Sequence, residues 1–525
     1  MNKTSSRAGT FLAALAMLCI VAPALADVKP AALFGDHMVL QGGVKVPVWG
    51  TATPGEQVTV TLSDQKQSAT AGEDGKWMVR LDELKPGGPF EMTIAGKNAI
   101  AIKDVLVGEV WLGSGQSNMD FVMSRDLAKY PGKAQRFAGV IDEEKEIAAA
   151  NFPQVRMFTV KTKMAAEPQA DVEGEWQVCT PENVPGFSAV GYYFARDLHK
   201  ATGRPVGFIK SAFGASCAQA WASRATLESD PQLKVLLDRF AEAIQKYDQE
   251  MAARAGAPAS APTNGATTQR GGGRANRGPR NPLQDQHNPY VLWNGMIVPL
   301  QPYAIKGVLW YQGESITEGL DLYPAVVEAV IKSWRREWGQ GDFPFYFVQL
   351  AALDSNSNRP EVREAQAKVL RVPNTAMVVT LDIGDKKDVH PHNKQDVGAR
   401  LARIARARDY GEQIEHLGPM FESMTPQGEA IRVTFSHAGG GLTAKDDPLK
   451  WFQVAGADGK FVNAEAKIDG SDVVVSSPEV KEPRHVRYAW HRWPEGANLY
   501  NAAGLPAAPF RTDAPEAPAA AQSAP

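Results

Sequence analysis

Between Val105 and Leu381 the chain alternates short, nearly unbroken apolar runs with longer stretches of helical spacing. Val105 to Leu112, Val206 to Ile209, Gly307 to Tyr311, Phe345 to Leu350 and Ala376 to Leu381 are apolar runs. Gly191 to His199 and Tyr323 to Trp338 have helical spacing. A strand that is apolar on both sides needs cover on both faces. Such strands, separated by helices, predict a parallel sheet flanked by helices, an α/β fold. The carboxyl ends of its strands then share one edge, where open α/β sheets hold their ligands.

The flanks read differently. Val44 to Gly50 and Val58 to Leu62 are short β-rich runs separated by turns such as Gly72-Glu73-Asp74-Gly75. They predict a β-sandwich over residues 27–103, with Pro47 placing its strand at an edge. The α/β unit then spans 104–412. Ile431 to Phe435, Val473 to Val475 and His485 to Trp490 predict a second β-sandwich over 413–513. A chain of 525 residues exceeds what one core organises, so several domains are expected. Residues 252–280 are Ala, Gly, Pro, Thr and Arg with almost no apolar bulk, and read as a disordered insertion. The Ala/Pro-rich tail 514–525 reads the same way. There is no internal repeat.

Lys3 and Arg7 precede an apolar run from Phe11 to Val21, and Ala24-Leu25-Ala26 offers small residues at a cleavage site. Residues 1–26 therefore read as an export signal, too short in its apolar core for a comfortable membrane span. The mature chain is expected outside the cytoplasm, secreted or periplasmic, with no membrane span. The whole chain carries a net charge of −3, and loss of Lys3 and Arg7 makes it more acidic. That balance gives no electrostatic reason to expect nucleic acid. Of three cysteines, Cys19 leaves with the signal. Cys179 and Cys217 remain, and an oxidising compartment allows either a disulfide or two free thiols.

The chemistry concentrates at the ends of the apolar runs. Gly113-Ser114-Gly115-Gln116-Ser117-Asn118-Met119 puts Ser117 just past the first one. A serine there projects its hydroxyl toward a cleft, with backbone N–H groups close by for an oxyanion. Local pattern alone leaves a helix cap open, and Met119 stands where a GxSxG elbow has its second glycine. Among nine histidines, His390 in Asp388-Val389-His390-Pro391-His392 follows the last apolar run, which makes it the candidate base. The His390/His392 pair also suits a metal, but no carboxylate and histidine set completes a site. Trp310-Tyr311-Gln312-Gly313-Glu314-Ser315 ends a third run. Gln312 carries an amide donor suited to an oxyanion or to loop-fixing hydrogen bonds. Glu314 is suited to bind substrate hydroxyls or to anchor the loop.

Taken in order, these blocks resemble the sialate O-acetylesterase family, within the SGNH branch of serine hydrolases, over nearly the whole mature chain. Gly108-Glu109-Val110-Trp111-Leu112 leading into Gly115-Gln116-Ser117-Asn118-Met119 is similar to the family's nucleophile block. Phe187 to Ala195, Asn294-Gly295-Met296-Ile297, Trp310 to Ser315, Asp388 to Pro391, Asn498 to Asn501 and Pro509 to Asp513 are similar to its later blocks. The resemblance implies an SGNH-hydrolase-like sheet and hydrolysis of acetyl esters on sugars, without a cofactor or a metal. Ser117 would attack the acetyl carbonyl, and His390 would shuttle the proton, with Asp388 behind it. The Ser117 N–H, Gly214 and Gln312 would line the oxyanion hole, and Gln116, Asn118 and Glu314 would face substrate.

Some positions depart from the family pattern. Phe213-Gly214-Ala215-Ser216 stands where the family has Trp-Gly-Gly-Thr, so the Ala215 methyl is expected to crowd the hole or reshape the sugar pocket. Ile316 replaces the Asn of a Gly-Glu-Ser-Asn block. Lys387 occupies the position three before His390 where the SGNH pattern has Asp, and Asp388 lies only two before it. On an extended strand those side chains share a face, with Cα atoms about 6.5 Å apart. Asp388 therefore orients the imidazole only if the loop bends; Asp385 or a backbone carbonyl is the alternative. An O-acetylated sialic acid is the expected substrate, with acetylated xylan or other plant glycans as the alternative. Two competing classes are a non-catalytic carbohydrate-binding protein using Trp49, Trp451 and Trp490, and a metal-dependent deacetylase. The sequence gives no sign of oligomeric state.

Overall fold

The longest strand, β1 (Ala99–Gly115), organises the molecule. Its first residues alternate between exposed and buried, and from Val105 onward every residue is buried. A computed structural model, which describes residues 27–126, 137–255 and 279–513, shows why. The early part of β1 pairs antiparallel with Gly87–Ala95, in a region with one face to solvent. The later part is the middle strand of a parallel sheet. The expected domain boundary at 103/104 thus falls inside one continuous strand.

The parallel sheet continues with β2 (Phe152–Thr159), β3 (Trp176–Cys179), β4 (Val206–Ala212), β5 (Gly307–Tyr311), β6 (Phe345–Val348) and β7 (Thr375–Val378). Their spatial order is β3-β2-β4-β1-β5-β6-β7. Neighbours run parallel, apart from the antiparallel edge strand β3. All residues of β4, β5, β6 and β7 are buried, as unbroken apolar runs require. The helix Ala189–Thr202 starts on the Ser188 hydroxyl, which accepts from Gly191 N–H, and stops at Gly203 with φ 67°. The helix Tyr323–Trp338 stops likewise at Gly339 with φ 66°.

Before β1, Lys29–Pro30, Val46–Thr51 and Lys76–Leu81 form an antiparallel sheet with Val46–Thr51 in the middle. Pro47 was expected on an edge strand, and locally it is on one. The two-residue neighbour reaches only Gly50 and Thr51, so Pro47 faces Arg80 alone. A second group, Gln57–Leu62, Gln65–Thr70 and Gly87–Ala95, joins β1. After residue 413 the strands are antiparallel and form two four-stranded sheets and one pair.

The helix Lys234–Ala255 corrects one expectation: residues 252–255 are its last turn, not the start of a disordered insertion. Alanine is the best helix former, so an Ala-rich stretch continues a helix already nucleated. The rest of that insertion up to residue 278, the export signal and the tail after Asp513 lie outside the described residues. Cys179 and Cys217 are free, buried thiols, each pushed up to about 12 by burial. Among the described residues no helix is long and apolar enough to cross a membrane.

Candidate active site

Register brings three segments together. Gly115, the last residue of β1, lies between Ala212 of β4 and Tyr311 of β5. The segments just beyond, Gln116-Ser117, Phe213-Gly214 and Gln312-Gly313-Glu314, therefore sit side by side at the carboxyl edge. Two backbone bonds extend the ladders past the strand ends: Gln116 N–H donates to the Tyr311 carbonyl (2.9 Å) and Phe213 N–H to the Gly115 carbonyl (3.0 Å).

The glycines around Ser117 are dictated by space. A Cβ on Gly113 would lie 2.2 Å from the Phe208 ring. Gly115 has φ 124°, and a Cβ there would lie 2.2 Å from the Tyr311 carbonyl oxygen. That conformation is accessible to glycine and strained for any other residue. It turns the chain into the single helical turn Ser117–Asp120, which leaves Ser117 at the tip, only 4% exposed.

His390 arrives from the far side of the sheet. β7 lies three strand spacings from β1, about 14 Å. The chain after β7 returns across that distance and sets His390 Nε2 2.8 Å from Ser117 Oγ. Burial, and then the Lys394 charge, push the His390 pKa down to about 4, with Asp388 opposing. The imidazole is thus neutral at pH 7, the state a general base needs. The Phe137 ring covers it, with centroids 4.1 Å apart.

The loop does bend at Asp388. Its Oδ1 accepts from the His390 backbone N–H at 2.8 Å and lies 3.5 Å from Nδ1, an electrostatic contact too long for a good hydrogen bond. Asp385 is occupied elsewhere: its Oδ1 accepts from the N–H groups of Lys387 and Asp388, which also hold its carboxyl below the usual range. His392 contacts the Gly139 carbonyl, Arg125 and, at 3.7 Å, the Asp388 carboxylate. Among the described residues no three His, Cys, Asp or Glu side chains gather as a metal site requires.

Gly214 lies beside the nucleophile, since a Cβ built on it would be 4.0 Å from Ser117 Cβ. Ala215 has φ 57° and is exposed. Four side chains expected at the oxyanion hole or facing substrate make hydrogen bonds within the protein. Gln312, placed in the oxyanion hole by resemblance, is fully buried and gives its amide N–H groups to the carbonyls of Ser216 (3.2 Å) and Ser315 (2.8 Å). Gln116 Oε1 accepts from Gly313 N–H and Ser315 N–H and so fixes that loop. Asn118 is fully buried and bonded to Glu314, Val389 and Lys394. Glu314 receives the Asn118 amide at 2.5 Å and keeps its other oxygen buried without a partner, and burial raises its pKa. These side chains build the loops because a buried amide or carboxylate is costly unless bonded.

The aromatic residues of the flanking sheets are engaged within the molecule. Trp49 packs edge-on against Phe34 and Tyr303, Trp451 stacks on His491, and Arg511 covers Trp490. Sequence reasoning passed over Phe137 and Lys394. Phe137 left no local signal. Lys394 did: it is a lysine in the first turn of a helix, where the dipole favours acids.

A family model described as "Carbohydrate esterase, sialic acid-specific acetylesterase" matches residues 292–407. The sialate O-acetylesterase of Rattus norvegicus is 30% identical, over 91% of this chain and 93% of its own length. The Homo sapiens sialate O-acetylesterase is also 30% identical, covering 91% of each chain. A crystal structure described as a novel carbohydrate acetylesterase from Xanthomonas citri is 34% identical, with a TM-score of 0.77. That match covers 93% of this chain and 99% of the other.

Proposed function

The chain belongs to the sialate O-acetylesterase family of carbohydrate esterases, and we propose that it removes O-acetyl groups from sialic acids through an acetyl-enzyme on Ser117. It is a carboxylic ester hydrolase. The observation that carries the mechanism is the 2.8 Å contact between Ser117 Oγ and His390 Nε2.

His390 takes the Ser117 proton as Oγ attacks the acetyl carbonyl carbon. The carbonyl oxygen becomes an oxyanion that meets the N–H groups of Ser117 and Gly214. Collapse breaks the bond to the sugar oxygen, which leaves with the proton from His390. Water, deprotonated by the same imidazole, then attacks the acetyl-serine. A second collapse frees acetate and returns the proton to Ser117. Asp388 favours the imidazolium by its charge across 3.5 Å. This reading asks no metal or cofactor of the site.

The wider reading is a three-part protein: an SGNH-type hydrolase unit between two β-sandwiches, exported by its leader to a periplasm or beyond. The parallel order around β1 and the antiparallel sheets after residue 413 support the layout. A second substrate class is acetylated xylan or another glycan, because the Xanthomonas citri protein is described as a carbohydrate acetylesterase without further restriction.

The test is acetate release by wild type and Ser117→Ala from O-acetylated sialic acid, acetylated xylan and a generic acetyl ester. The serine mechanism requires the variant to fall by about 10⁴-fold or more on every ester the wild type cleaves. Undiminished turnover by the variant refutes it. The ranking of the three esters decides the substrate.

A further inference from the structure

Ser117 and His390 are 273 positions apart, and nothing in the sheet ladders ties the His390 loop to the end of β1. The tie is made by two side chains. Asn118, next to Ser117, donates from Nδ2 to the Val389 carbonyl at 3.1 Å. Lys394 donates from Nζ to the Pro391 carbonyl and to Asn118 Oδ1, both at 2.7 Å. Val389 and Pro391 are the two chain neighbours of His390. The bonds thus close a ring through His390 and Asn118, the chain neighbour of Ser117, joined to the loop after β5 through the Asn118 bond to Glu314.

Building on the serine mechanism proposed above, we infer that Lys394 and Asn118 act as a clamp that holds His390 in register with Ser117, with Lys394 as a positioning residue. Three observations carry this. Lys394 is completely buried at the first position of the helix Lys394–Asp409, where the helix dipole opposes a cation. Among the described residues it has no carboxylate within ion-pair reach, and it rests over the rings of Phe121 (4.6 Å) and Tyr311 (5.6 Å). An apolar side chain would fill such a place at lower cost. Its ammonium makes two of the bonds that fix the loop around His390.

The same cation acts on the base electrostatically. The charged and titratable groups around His390 are Lys394, Asp388 and His392, and Arg125 lies against His392. Glu314 and Asp388 are the acids that act on Lys394, and Arg359 acts on Glu314. Lys394 lowers the His390 pKa and Asp388 raises it. Burial brings Lys394 itself down to about 7.

The experiment is the pH profile of kcat/KM, with kcat and KM separated, for Lys394→Met and Asn118→Ala in the full chain. Methionine keeps the volume and removes the charge and both bonds. Lys394→Met should lower the plateau kcat by roughly 10- to 100-fold with KM for a small acetyl ester little changed, as expected of a misplaced reacting group. The acid limb should also move up by about one unit, because a nearby cation no longer opposes imidazolium. Asn118→Ala should lower kcat in the same way and leave the limb in place, since the charge remains. It carries the test if Lys394→Met does not fold. A folded Lys394→Met enzyme with wild-type kcat and limb overturns the inference, as does one whose loss follows melting temperature alone with an unmoved limb. Neither result touches the serine mechanism, which stands or falls with Ser117→Ala.

Discussion

The two halves of the Ser–His pair are held in different ways. Ser117 sits at the end of the central strand of the sheet, where two parallel neighbours and the backbone bonds of Gln116 and Phe213 determine its place. His390 sits in an irregular stretch that has left the sheet altogether, and side chains determine its place: Asn118, Lys394, Asp388 and the Phe137 ring. Backbone ladders tolerate side-chain changes provided the glycines remain. A side-chain clamp tolerates backbone irregularity but depends on each polar partner. Damage should therefore appear as lost folding on the serine side and as lost rate on the histidine side.

The largest effect that tests this contrast is His390→Ala. It should remove turnover to about the extent of Ser117→Ala while leaving the melting temperature nearly unchanged, since the loop is held by Val389, Pro391 and Asp388. A His390→Ala protein with substantial activity would mean that another group serves as the base. Gly115→Ala comes next, on the other side. Its φ of 124° and the 2.2 Å approach to the Tyr311 carbonyl predict a loss of about 3 kcal/mol or more in denaturant unfolding. A Gly115→Ala chain as stable as wild type would show that the strand end is less rigidly defined than its ladders imply.

Asp388→Asn should have the smallest effect. A hydrogen-bonded triad carboxylate is worth about 10⁴-fold in kcat. A carboxylate 3.5 Å from Nδ1 and half exposed should be worth roughly tenfold. Its loss should also move the acid limb of kcat/KM below the value near 4 expected for wild type, because Asp388 stabilises the imidazolium. A 10⁴-fold fall would show that Asp388 closes on His390 when substrate binds. The same titration bears on stability. The folded pKa lies below the usual histidine value of about 6.5, so the unfolded chain binds the extra proton. This contribution is present above pH 6.5 and is lost as pH falls from there to about 4.

Several features were legible in the residues alone. Unbroken apolar runs identified β4 to β7, whose residues are buried throughout, and 3.6-residue spacing identified Tyr323–Trp338 to the residue. The position of Ser117 past a strand, and of His390 past another, singled out the pair that the structure brings to 2.8 Å. The end of the helix Lys234–Ala255 was missed because a low-bulk Ala-rich stretch looks like a linker unless a helix already runs into it. The destinations of the Gln116 and Asn118 amides were missed too, while loop-fixing bonds were one of the two readings of Gln312. Gln312, Gln116 and Asn118 stand in the blocks that carry the chemistry, yet each spends its hydrogen bonds on neighbouring loops.

Periodicity, glycine placement and the order of the blocks determined that this chain makes an α/β sheet with a serine and a histidine at its carboxyl edge, because apolar spacing and backbone freedom are local properties. Only the tertiary structure decided which polar side chain faces the reacting atoms and which supports them. Asn118 meets Glu314 from 196 positions away and Lys394 from 276, and no local pattern encodes partners that come together only once the sheet has formed.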